Sequence, residues 1–250
     1  MEAPAIAPLA GGPLPYTLRH SPRARGLRVV IHPERGLVVT VPATRDGRRD
    51  GERRAVDFLG QREAWVRRHL ARQADLAAVL AARGGARDGG CLPYLGRLRR
   101  VRVVPAVSGA RRSDVIAFDD ELVIHRRPLE RRTDAAILEA WLRREARVAI
   151  DAQLAAHVDA LGVQPSAVTL RDPRSRWGSA SRARRLSFSW RLILAPPEAL
   201  DTVVIHELAH LRVFGHGAAF WTLVASRRAD HRTWRRWLHD HATELHGALG

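Results

Sequence analysis

The chain contains no lysine and no asparagine, one cysteine (Cys91), one methionine (Met1) and two tyrosines (Tyr16 and Tyr94). A single thiol excludes a disulfide framework within the chain and any zinc site built on several cysteines. No run of about 20 uncharged apolar residues occurs, so nothing reads as a membrane-spanning helix. The opening stretch Met1–Pro15 carries four prolines and no basic residue ahead of its apolar part, so it does not read as a signal peptide. The expectation is a cytoplasmic protein with no membrane partner. Without lysine, all 42 basic residues are arginine; set against 26 acidic ones they give a net charge of +16. Abundant alanine and glycine beside them suggest a GC-rich coding sequence, so part of the surplus fills solvated faces. A chain this basic still attracts polyanions at low salt, and weak nucleic-acid association through the arginine-rich surface is the partner implied. The arginine clusters are scattered between Arg19 and Arg236, and no zinc-finger spacing, RNA-recognition signature or Walker-type loop accompanies them.

The 250 residues, 46% hydrophobic and 27% charged, have the composition of an ordinary globular protein, and the pattern of elements along them is α+β. Prolines and glycines predict a disordered leader over 1–15. Residues 16–127 read as a β-rich module with one helix. Leu27–His32 and Leu37–Val41 are strands flanking a turn at Pro33-Glu34-Arg35-Gly36, and Ala55 to about Arg83 has helical spacing. Three more strands follow, at Leu92–Leu98, Val101–Val107 and Val115–His125. From 128 to 250 the pattern turns helical. Asp134–Leu161 is a long amphipathic helix, Val168–Arg171 and Leu186–Leu194 are strands around a polar loop, and Pro197 opens a helix running to about Phe214. No internal repeat is evident.

That last helix carries His206-Glu207-Leu208-Ala209-His210. Histidines four residues apart share a face, about 6 Å apart, and can both reach one zinc ion. Glu207 then stands beside the metal, placed to take a proton from water the ion has acidified. Two ligands are too few, and His216 is the candidate third. A straight helix would carry it away, but Gly215 permits the chain to turn back. The spacing from His210 to His216 equals that of metzincin proteases. Their glycine three residues after the second histidine is Val213 here, and no methionine is present to form their Met-turn, so that reading fails. Arg174, Ser175 and Trp177, in the loop Arg174–Ser181, are candidate substrate contacts on a wall of the cleft. Trp177 reads equally well as a core anchor.

Ser175-Arg176-Trp177-Gly178-Ser179, then Trp190–Pro197, His206–Leu211, His216 and Phe220-Trp221, resemble the YgjP-like branch of the SprT/WLM-related zinc metallopeptidases. These motifs span about Val168 to Trp237. A looser similarity, through Arg23–Leu27, Val38–Pro42 and Tyr94-Leu95-Gly96, reaches most of the chain after Pro15. Relatives usually have cysteine after Trp-Gly-Ser, where this chain has Ala180, so no thiol there serves metal binding or catalysis. The resemblance implies a β-rich module followed by a zincin-like helical metallopeptidase domain with a small β-hairpin. It further implies a Zn2+ cofactor and a polypeptide substrate hydrolysed with Glu207 as general base. Two rival readings fit the same residues: a metal-dependent nucleotide or phosphoanhydride hydrolase (a pyrophosphatase), and a nucleic-acid-binding protein with structural zinc. No residue is singled out to stabilise the oxyanion: the two tyrosines, Tyr16 and Tyr94, lie far away in sequence, and Arg174, Arg191 and His231 are weak candidates.

Overall fold

Along Gly12–Ser21 the side chains alternate: Leu14, Tyr16 and Leu18 are buried, while Pro13, Pro15 and Arg19 face out. A period of two is that of a strand with one face on a core. In the computed structural model, which describes residues 2–32, 35–43 and 47–250, this stretch is strand β2. It lies beside β1 (Glu2–Leu9), and β3 (Arg28–His32) and β4 (Gly36–Pro42) complete the sheet in the order β1-β2-β4-β3. The supposed leader is therefore sheet. Its prolines are tolerated because β1 is an edge strand and β2 pairs with β4 only from Thr17 onward, so few ladder bonds need the missing N–H groups. The expected turn between β3 and β4 includes Pro33 and Glu34, which lie outside the described residues. Where one helix is expected, two form: α1 (Gly47–Gly60) and α2 (Glu63–Arg83). Leu59 and Val66 close the core beneath the sheet.

The compact units are Met1–Val79 and Leu80–Gly250, so the division falls at 79/80 and not at 127/128. The physical reason is a shared core. Strands β5 (Cys91–Tyr94), β6 (Arg97–Pro105), β7 (Asp114–Ala117) and β8 (Glu121–Arg126) contribute Leu92, Val101, Leu122 and Ile124 to the apolar cluster that also holds Leu138, Leu142 and Val204. Their order, β5-β6-β8-β7, with antiparallel outer pairs and a parallel central pair, repeats that of the first sheet. The chain thus contains a structural repeat that its sequence conceals.

The β5–β6 hairpin turns at Leu95 and Gly96, both left-handed (φ 52° and 77°), as a tight two-residue hairpin requires. The Leu95 N–H donates to the Ile193 carbonyl (2.9 Å) and the Gly96 N–H to that of Leu194 (3.1 Å). This pins the hairpin tip on the 3-10 turn Trp190–Leu194. Helix α3 (Asp134–Leu161) has the predicted bounds. Thr133 caps its start by accepting from the Ala136 N–H, and Gly162 ends it at φ 62°. Ile137, Leu138, Trp141, Leu142 and Leu154 are buried, but the apolar Val148 of the same helix is exposed.

The third sheet, β10-β11-β9, consists of β9 (Ala167–Arg171), β10 (Gly178–Ala180) and β11 (Arg185–Ser189). The antiparallel β10–β11 pair is the small hairpin. Four helices remain: α4 (Pro197–His210), α5 (Ala218–Arg227), α6 (His231–Asp240) and α7 (Ala242–Gly247). Leu192, Leu194, Val204 and Leu208 are fully buried; at about 1.5–3 kcal/mol each, their burial holds α4 against α3 and the 3-10 turn. Among the described residues no helix is long and apolar enough to cross a membrane.

Candidate metal centre

Helix α4 starts at Pro197, whose fixed φ suits a first turn, with Glu198 at the positive helix end. It stops at His210 and does not reach Phe214. The Leu211 and Arg212 N–H groups bond back only three residues, to Leu208 and Ala209, so the last turn tightens and the chain leaves the axis. Gly215, at φ 91°, reverses the loop. His216 is thereby returned to the two helical histidines.

The Nε2 atom of His206 lies 3.2 Å from that of His210 and 3.2 Å from that of His216. The ligating nitrogens of all three fall within 4.8 Å of one another, a group that could hold a metal ion. Nitrogens each 2.0–2.1 Å from one tetrahedral ion are about 3.3 Å apart, so the spacing of His206 from each of the other two fits. The Nδ1–H of His210 donates to the Val213 carbonyl (3.4 Å), which leaves the Nε2 lone pair pointing at its neighbours. Burial, then the neighbouring His210 and His216, push His206 down to about 3, so its ring is neutral and able to ligate at any ordinary pH. Phe220, fully buried, backs the triad: its ring stacks on His210 at 4.4 Å and meets His206 and His216 edge-on at 4.9 Å.

Glu207 is 5% exposed. Burial pushes its carboxyl up to about 7, against the opposing pull of Arg176. A carboxyl so tuned can accept and return a proton near neutrality. Gly178 of β10 lies directly on it: a Cβ there would stand 2.6 Å from Glu207 Cγ and Oε1. The glycine of the Trp-Gly-Ser motif is therefore a close-approach position, a role its flanking residues do not reveal.

One turn further back, α4 is tied to α3 and α5. The Nε2–H of His157 donates to Asp201 Oδ1 (2.7 Å), its tautomer set by the Arg227 guanidinium, which donates to Nδ1 (3.2 Å). None of the three stands out in the sequence, because each belongs to a different helix and only the fold brings them together.

The remaining candidates divide. Arg174 and Ser175 are exposed in the loop before β10. Trp177 is half-buried against the core and stacks on His246 (5.3 Å), the anchoring role. Arg191 grips Asp172 through two bonds (2.7 and 3.0 Å) and donates to the Leu245 and His246 carbonyls, so it fastens the loop to α7. Tyr94 is buried and donates its hydroxyl to Glu145 (3.0 Å), and Tyr16 lies in the core of the first unit. His231 is buried and stacks on Trp221 (5.3 Å), whose ring in turn faces His216 at 5.6 Å.

A histidine triad whose ligating nitrogens converge, beside a buried carboxyl on the same helix, is the arrangement of a metallopeptidase-type hydrolase. The sequence model of the YgjP-like metallopeptidase domain matches residues 25–241, and the chain belongs to that family. Neither the curated proteins nor the solved structures gave a match.

Proposed function

We propose that the protein is a zinc-dependent metallopeptidase in which His206, His210 and His216 hold the ion and Glu207 is the general base. The observation that carries this reading is the 3.2 Å spacing of the Nε2 atoms with the buried Glu207 carboxyl next in sequence. Zinc held by these three imidazoles would supply Lewis acidity and lower the pKa of water to about 7. The chain's own part is positional. Glu207 takes the proton of the attacking water and passes it to the departing amine, a role suited to a buried carboxyl next to a metal ligand. Gly178 keeps that carboxyl pressed against β10. Because β10 is the edge of its sheet, its free backbone groups are available to an extended substrate. Arg174 and Ser175 lie in the loop leading to that edge and serve as outer substrate contacts. With Arg191 engaged elsewhere, Arg235 of α6 is a cation in electrostatic reach of His206, suited to offset oxyanion charge, whereas burial and the neighbouring Arg235 hold His231 below its ordinary value and so neutral.

The test is hydrolysis of casein and of nucleoside triphosphates by zinc-loaded protein, wild type beside Glu207→Gln. Peptide cleavage that the variant loses supports the reading. Phosphate release without peptide cleavage assigns the site to phosphoanhydrides instead.

A further inference from the structure

Sheet β10-β11-β9 has two unlike faces. Leu186 and Phe188 of β11 are buried in the core. Ser187 and Arg185 alternate with them and point the other way, and the register places Thr169 and Ser179 beside Ser187. With Arg171 and Arg176 these residues line an open groove of about 1050 Å³. Its lining sets hydroxyls and guanidiniums among small apolar side chains. Arg171 and Arg185 are exposed and have no acidic partner among the described residues. Asp172 at the lip is already held by Arg191.

Its guanidiniums disfavour basic ligands and are complementary to carboxylates, because arginine presents a planar fork that matches them. The groove also adjoins the metal centre through β10: Gly178 lines it and packs on Glu207, and Arg176 acts on that same carboxyl. A chain laid along the free edge of β10 turns every second side chain to the outer face.

We infer that this outer face of β10-β11-β9 is a specificity groove for acidic polypeptide, receiving Asp or Glu side chains at alternate positions of a substrate strand seated on β10. The inference rests on the peptidase reading, and its test is a binding measurement that needs no turnover. Glu207→Gln protein is titrated against short fluorescein-labelled peptides alternating Glu with Ala, or Gln with Ala, and followed by anisotropy. The Glu peptide binds about tenfold more tightly, as a few exposed charge pairs allow, and Arg171→Gln/Arg185→Gln abolishes most of that advantage. Arg97→Gln/Arg111→Gln makes the same change of charge at exposed positions elsewhere and leaves the advantage within about threefold. Equal loss in both double variants reduces the effect to net charge and overturns the inference. So does a single-stranded oligonucleotide of matched charge that binds more tightly than the Glu peptide and is lost with Arg171 and Arg185, since the groove's ligand is then nucleic acid. Absence of casein hydrolysis by the wild type would instead remove the peptidase reading and leave the binding result standing.

Discussion

Gly178→Ala isolates the placement of the general base from the metal. Its added Cβ would stand 2.6 Å from Glu207 Cγ and Oε1 and 2.9 Å from Cδ. Ordinary contacts between carbon atoms are about 3.5–4.0 Å, so the carboxyl has to retreat by about 1 Å. Glu207 is buried, so it has no solvent to retreat into. Gly178 is not among the left-handed glycines, so alanine brings no backbone strain. Overpacking costs about 1–3 kcal/mol, offset by about 0.4–1 kcal/mol from a stiffer unfolded chain, and the variant folds. Catalysis suffers more. A displacement of about 1 Å at a reacting group is worth about 100-fold in rate, or about 2.7 kcal/mol. The assay is steady-state hydrolysis of a casein-derived fluorogenic peptide, with zinc content measured on the same preparation. A fall of about 100-fold in kcat at undiminished zinc is expected. A variant that keeps more than half of the wild-type kcat would refute the claim that β10 sets the position of Glu207.

Elemental analysis after dialysis should find near-stoichiometric zinc in the wild type and clearly less in His216→Ala, which removes one of three nitrogens that converge within 4.8 Å. In metal-free protein, Glu207 titrates near 7 when folded against 4.5 when unfolded. Because the folded value is the higher, wild type loses about 3 kcal/mol of stability relative to Glu207→Gln as pH rises from about 4.5 to 7. Urea melts of both proteins with chelator check the sign, and a difference that does not grow over that range contradicts it. Gly96→Ala places a Cβ 2.8 Å from Pro196 Cγ and 2.9 Å from its Cα, at φ 77°. A loss of about 2–4 kcal/mol is expected, read as a lower melting temperature, because neither backbone can yield freely.

Local features were legible from neighbouring residues alone. Helix geometry alone puts His206 and His210 on one face, and a glycine before His216 is enough to predict the reversal that brings the third ring back. The bounds of α3 were equally legible, since Thr133 and Gly162 mark both ends of a long amphipathic pattern. Features that depend on residues distant in the chain came only with the packed fold. It turned the proline-rich opening into sheet, because an edge strand tolerates missing N–H groups. It joined the β5–β8 sheet to the metal helix through one apolar core and so moved the division of the chain to 79/80. It also gave Trp177 and Arg191 to anchoring and Gly178 to Glu207. Periodicity reports which face of an element is apolar; which partner covers that face is set by packing between segments, and no local pattern encodes it.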